Sequence, residues 1–161
     1  MTYLLTTLCL LLFGASQATS GDPPILSFEE FESYFKKSND TTYVVNFWAT
    51  WCKPCVEELP FFEDLRQDFL EQPVHVLLVS LDFKHQIDSK LIPFIEKNEL
   101  QSEVLVLYAP DANAWIDKVD KRWTGAIPAT VVFRNGRQVF HGEKFESYSE
   151  LKSMVESINK I

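Results

Sequence analysis

Two cysteines two residues apart stand where an apolar run gives way to a helical pattern, in Trp51-Cys52-Lys53-Pro54-Cys55. Sulfurs at this spacing can close a short disulfide loop and open it again. The pair is a poor structural staple, because so small a loop removes little entropy from the unfolded chain. A redox role explains the spacing better. The alternatives are a zinc half-site or two inert thiols. Zinc would need two more ligands, and His75, His85 and His141 show no ligand spacing. With a helix starting at Lys53, Cys52 lies at its N-terminus, where unpaired N–H groups and the helix dipole favour a thiolate. Lys53 adds a positive charge beside it. Cys52 is therefore the expected nucleophile, and Cys55, one turn in, the thiol that resolves the mixed disulfide.

Glu58 follows Cys55 by three residues, one helical turn on and on the same face. Cys55 must lose its proton before it can attack, and a nearby carboxylate can take it. A buried carboxyl there would have a raised pKa and titrate together with the sulfurs. The plainer reading makes Glu58 one of several acidic residues that the helix dipole favours, the role expected for Glu57 and Glu63. Pro54 fixes the backbone between the cysteines. Trp51 covers the approach to them, either as structure or as a contact surface for partner proteins.

The elements that must position these groups fit in one domain. The chain has 161 residues, 46% hydrophobic and 14% aromatic, enough for one well-filled core. A formal charge of -8 argues against generic nucleic-acid binding. Residues 1–18 read as a secretory signal: an apolar stretch, Leu8-Cys9-Leu10-Leu11-Leu12-Phe13, then Ser16-Gln17-Ala18 with small residues where a signal peptidase cuts. No Lys or Arg precedes the apolar stretch, and the alternative is an uncleaved N-terminal anchor, for which the run is short. Cleavage after Ala18 would remove Cys9 and leave Cys52 and Cys55 as the remaining cysteines. The exported domain is then residues 19–161.

Residues 19–26 read as an extended leader carrying Asp22-Pro23-Pro24. Ser27 and Glu30 form a capping-box pattern that opens a helix to about Lys37, with Phe28, Phe31, Tyr34 and Phe35 on one face; Ser38-Asn39-Asp40 closes it. Residues 41–48 read as a buried central strand. The cysteine-bearing helix runs from about Lys53 to Leu70, with Pro60 inside it and a kink expected there. Residues 74–81 are a second buried strand, and 82–88 an irregular polar stretch. A helix over 89–98 follows, with Pro93 in its first turn, then a strand over 104–107. A helix over 111–120 and a loop over 122–128 come next. A strand over 129–133 turns at Asn135-Gly136, a strong hairpin signal, into a return strand at Val139-Phe140. An amphipathic helix over 147–159 ends the series. This order predicts an α/β fold: a mixed central sheet, parallel through crossovers and antiparallel at the hairpin, with helices on both faces.

The stretch Phe47-Trp48-Ala49-Thr50-Trp51-Cys52-Lys53-Pro54-Cys55 resembles the active-site segment of thioredoxin-like proteins, and Gly125-Ala126-Ile127-Pro128-Ala129-Thr130 resembles their proline loop before the hairpin. Asn46, Cys55-Val56-Glu57-Glu58-Leu59-Pro60 and the extra material around 83–108 resemble the exported TlpA/ResA branch, over about residues 25–161. The resemblance implies a thioredoxin fold and a thiol-disulfide oxidoreductase whose glutamate matches Glu58. Where thioredoxin itself has a buried aspartate, this chain has Asn46. A neutral amide accepts no proton, so that task would fall to Glu58; equally, Asn46 can simply satisfy local hydrogen bonds. The resemblance also implies a cis Ile127–Pro128 bond beside the cysteines, with Trp51, Ile127 and Pro128 binding substrate and the Ile127 backbone pairing with an extended segment. Protein disulfides are the implied substrates, in the periplasm, with a membrane thiol protein as electron donor and cytochrome c maturation as one role. No cofactor or metal is indicated. An oxidase or isomerase direction is the alternative, since direction follows from a potential the sequence does not give. A non-catalytic binding module is another alternative. A thiol peroxidase would use a different motif around its cysteine.

Overall fold

The computed structural model describes residues 21–34, 37 and 39–159. The expected signal peptide, residues 19–20, Phe35, Lys36, Ser38 and residues 160–161 lie outside the described residues.

The central strand is β2, Thr42–Trp48, every residue of it buried. Its apolar and β-branched composition suits a strand covered on both faces. On one side it pairs in parallel with β3, Val74–Ser80, and on the other antiparallel with β5, Ala129–Arg134. The sheet has six strands in the order β1-β4-β3-β2-β5-β6, where β1 is Ile25–Leu26, β4 is Glu103–Leu107 and β6 is Arg137–His141. Parallel and antiparallel pairings coexist as expected. At the hairpin tip Asn135 and Gly136 both take positive φ, 49° and 76°, the combination a two-residue turn between twisted strands requires.

Alternation along the strands divides the core in two. Val44, Trp48, Val76, Leu78, Val104 and Val132 face α2, Lys53–Asp68, and α5, Tyr148–Asn159. Tyr43, Val45, Phe47, Leu77, Leu105 and Val131 face the opposite way, onto Phe28 and Phe31 of α1, Phe28–Glu32, and Val119 of α4, Ile116–Val119. This second layer is largely aromatic: Phe47 lies 4.5 Å from Trp123, and Phe28 stacks on Trp115 at 5.7 Å.

Four boundaries depart from the sequence reading. The leader becomes edge strand β1, parallel to β4 through Ile25↔Val106 and Leu26↔Leu107; two residues are too few to show alternation. Helix α1 keeps its capping box, but its last helical residue is Glu32, not about Lys37. The Ser33 hydroxyl bonds back to the Glu30 carbonyl at 2.7 Å, competing with the helical ladder. The stretch read as irregular winds from Lys84 into a 3₁₀ turn and a π turn, Ile87–Leu91, and continues as α3, Ile92–Lys97. The helix expected over 111–120 splits into a 3₁₀ turn, Ala112–Ala114, and α4. The break falls at Trp115, whose indole donates to the Ala109 carbonyl at 3.0 Å while its ring joins the aromatic layer; packing overrides helix propensity there.

Glu63 does more than answer a helix dipole. From α2 it accepts the Gln101 and Ser102 N–H groups at 3.1 and 3.0 Å, holding the entry to β4, and Arg66 donates to it at 3.4 Å. Hydrogen bonds to a charged acceptor contribute about 1.5–3 kcal/mol each. Glu63→Ala is expected to lower stability by about 2 kcal/mol in urea unfolding, with an unchanged m-value; a change below about 0.5 kcal/mol contradicts the role of this tether.

Candidate active site

Strand β2 ends at Trp48, and Cys52 caps α2 with extended backbone, φ −90° and ψ 96°. Its sulfur accepts the Cys55 N–H at 3.3 Å, one of the N–H groups a helix start leaves unpaired. Cys52 and Cys55 are joined as a disulfide, Cα to Cα 5.3 Å. Both cysteines are buried, while Trp51 beside them is 52% exposed.

The approach to α2 is held from β3. Asp82, buried just beyond that strand, accepts the Thr50 N–H at 3.0 Å and the Thr50 hydroxyl at 2.6 Å, and the Ser80 hydroxyl at 2.8 Å. Asp82 thereby fixes the backbone two residues ahead of Cys52. Its place in a stretch read as irregular and polar hid it; the one available signal was an acidic residue directly after a buried strand.

The proline loop closes the other side. The Ile127–Pro128 bond is cis. The Ile127 carbonyl lies 3.8 Å from Cys52 Sγ, a contact in the disulfide form, where that sulfur has no proton to donate. Trp123 holds the loop by donating from its indole to the Ala126 carbonyl at 2.7 Å. Gly125 has φ +86°, a left-handed backbone that disfavours a side chain, and a Cβ there would also press on the Ile116 Cδ1 methyl at 2.8 Å. Pro128 is buried and Ile127 partly exposed.

Glu58, one turn beyond Cys55, is fully buried. Its Oε1 accepts from Asn46 Nδ2 at 2.9 Å, and its Oε2 from the Phe145 N–H at 2.8 Å. Asn46 Nδ2 also donates to Thr130 Oγ1 at 3.0 Å, so the amide joins α2, β2 and β5; Asn46 Oδ1 is buried and has no hydrogen-bond partner among the described residues. Burial pushes the Glu58 carboxyl up from about 4.5 to about 7. The Phe145 N–H, Asn46 and the Lys144 charge pull it down, and Glu150 adds to the rise. Desolvation outweighs the hydrogen bonds. The sequence offered no sign of Phe145, since a backbone N–H has no residue type. Glu57, by contrast, faces solvent between Lys53 at 3.9 Å and Lys144 at 3.4 Å. Lys53 therefore points its charge at Glu57 as well as lying next to Cys52 in sequence.

The structure thus gathers Trp51, Cys52, Cys55, Ile127 and Pro128 around one sulfur pair, with Glu58 behind it. Among the described residues no group of three or more His, Cys, Asp and Glu side chains is placed to hold a metal ion. Residues 27–141 match the model of the AhpC/TSA family. The chain belongs to the AhpC/TSA family. Within it, the expected ResA-type resemblance is found. The chain is 49% identical over 39 residues to the thiol-disulfide oxidoreductase ResA of Oceanobacillus iheyensis, 24% of this chain and 20% of that protein. The matched stretch is thus about a fifth of the relative's length. Among solved structures it is similar to StoA from Bacillus subtilis, with a TM-score of 0.58, 19% identity, and 74% of this chain and 85% of that one covered. It is also similar to the thioredoxin-related protein from Neisseria meningitidis serogroup B, with a TM-score of 0.65, 18% identity, and 78% and 90% covered. At these identities the structures show the fold, and this AhpC/TSA member has the α/β thioredoxin-like one.

The raised Glu58 pKa makes folding pH-dependent with a definite sign. Between about 4.5 and about 7 the unfolded chain gives up this proton and the folded one keeps it. The unfolded state therefore binds fewer protons, and stability falls as pH rises through that window. The shift corresponds to about 3 kcal/mol. Glu58→Gln removes this contribution. Relative to wild type, the variant should gain about 3 kcal/mol between pH 4 and pH 8 in urea unfolding; a difference independent of pH contradicts the raised pKa.

Proposed function

We propose that this protein is a thiol-disulfide oxidoreductase that reduces protein disulfides outside the cytoplasm, working through Cys52 and Cys55. The observation that carries the reading is the arrangement at the disulfide: a helix-capping sulfur against the Ile127 carbonyl, and a buried carboxyl one turn behind the second sulfur. The similarity to proteins named ResA supports the same chemistry. One structural neighbour, from Mycobacterium tuberculosis, is described as a secreted disulfide oxidoreductase, which fits export. So does the signal-like pattern of residues 1–18. Among the described residues no helix is long and apolar enough to cross a membrane.

In the reduced protein, the Cys52 thiolate attacks one sulfur of a substrate disulfide. The substrate S–S bond breaks, one substrate sulfur leaves as a thiolate and takes a proton, and a mixed disulfide forms on Cys52. Cys55 then gives its proton to the Glu58 carboxylate and attacks Cys52 Sγ. The second substrate sulfur leaves with the electron pair and is protonated. The substrate has gained two electrons, and the protein is left as the Cys52–Cys55 disulfide seen here. Trp51 and Ile127 border the substrate, whose extended backbone pairs with Ile127, and Pro128 supports that edge from below. A membrane thiol protein returns the electrons, and apocytochrome c cysteines are one substrate class consistent with the ResA-type resemblance.

Three measurements test this. Equilibration of the pair against dithiothreitol should give a strongly negative potential; one near that of strong oxidants turns the reading to an oxidase. Alkylation after mild reduction should label Cys52 first. In Glu58→Gln, the reactivity of Cys55, followed in Cys52→Ser, should fall at least about tenfold near neutral pH and lose its dependence on a group titrating near 7. An unchanged pH profile removes Glu58 from the proton transfer.

A further inference from the structure

A groove beside the disulfide differs in charge from the chain as a whole. The chain as a whole carries -8. Beside Trp51, however, an open groove of about 330 Å³ is lined by Thr50, Trp51, Lys90, Pro93, Phe94 and Lys97. Two cations and no carboxylate stand in that lining. Lys90 and Lys97 form no salt bridge within 4.0 Å among the described residues. Asp88 and Glu96, on the same stretch of chain, are exposed outside the lining.

Trp51 is also one end of an exposed aromatic ridge. Its ring stacks on Phe83 at 6.1 Å and 22°, and Phe83 stacks on His85 at 5.8 Å and 13°. Phe83 is 57% exposed. Lys84 Nζ lies 5.5 Å over the ring of Tyr108, itself 48% exposed. Trp51 and Phe83 are large rings left facing water beside Cys52, the composition expected at the centre of a contact surface. The ridge and the groove share Trp51, which adjoins Cys52.

We propose that this surface docks an acidic segment of the protein whose disulfide is exchanged. An Asp or Glu of that segment sits between Lys90 and Lys97, and an apolar or aromatic neighbour lies on Trp51 and Phe83. The inference rests on the thiol-exchange reading and adds the chemistry of the partner. Unpaired lysines beside a net negative chain give local charge complementarity that steers such a segment toward Cys52 and repels basic ones. Lysines with aromatics would also suit an anionic lipid surface. Two lysines attract any anionic surface, but their place beside Trp51 and next to the sulfur pair favours the polypeptide whose disulfide is exchanged.

The test uses the reduced protein and three synthetic peptides. Each carries the same intramolecular disulfide, flanked by Asp, Ser or Lys, and reduction is followed by stopped flow. The Asp peptide should react about fivefold to tenfold faster than the Lys peptide at low ionic strength, and the gap should largely close at about 0.5 M salt. Lys90→Glu/Lys97→Glu should reverse the order. Equal rates for the Asp and Lys peptides, with the Ser peptide reduced, overturn the docking surface alone. Failure to reduce any of the three overturns the thiol-exchange reading and the docking surface with it. Co-sedimentation with phosphatidylglycerol vesicles that the double variant abolishes, without discrimination among the peptides, assigns the lysines to lipid and also overturns the proposal.

Discussion

The burial of the Glu58 carboxyl is the constraint to which the rest of the site is tied. An ionised carboxylate in a protein interior is costly unless donors surround it. Here two neutral donors meet it, the Asn46 amide and the Phe145 N–H. They come from opposite directions, one from the central strand and one from the segment that leads into α5. Neither is a cation, and the Lys144 charge acts only as a weaker pull. Desolvation therefore wins, and the group is left poised near neutrality instead of fixed in one charge state. A partner arginine in place of Asn46 would have held the carboxylate ionised and closed that option.

This arrangement requires several long-range features at once. Helix α2 must lie across β2 so that Glu58 meets Asn46. Strand β5 must pair with β2 in the register Asn46↔Thr130, since the Thr130 hydroxyl takes the second hydrogen of the same amide. The chain after β6 must return over α2 to present Phe145, whose ring packs edge-on against Phe62 at 6.1 Å. The two sulfurs then occupy unlike surroundings. Both sulfurs belong to the same buried core, but Cys52 stands at the helix end against the proline loop, where free backbone N–H groups favour a thiolate, whereas Cys55 lies one turn inside the helix and is fully buried. The proposed division of labour, with Cys52 attacking first and Cys55 needing a base, follows from that asymmetry.

Much of this was legible in the chain because it depends on short spacings. The sulfur pair, the helix start at Lys53, the one-turn offset from Cys55 to Glu58 and the Asn135-Gly136 hairpin are all local. The mixed sheet followed from the order of elements. What escaped reading is made by contacts between distant segments. Asp82 appears in sequence as part of a polar loop, yet it is buried and ties Thr50 to the end of β3. Glu63 looks like any helix-surface acid until Gln101 and Ser102 come to meet it. Edge strand β1 has too few residues for a period, and Ile87, in a stretch read as irregular, is buried by the π turn before α3.

The central claim is that Glu58 titrates near neutrality and exchanges its proton with the cysteine pair. It is tested most directly by carbon-13 NMR of the Glu58 side-chain carboxyl, assigned through Glu58→Gln and followed against pH in the disulfide and dithiol forms. The account predicts a midpoint near 7 in the disulfide form. On reduction that midpoint should move, because the carboxyl and the Cys55 thiol then compete for one proton. A carboxyl that titrates near 4.5 in both forms, unmoved by reduction, contradicts it.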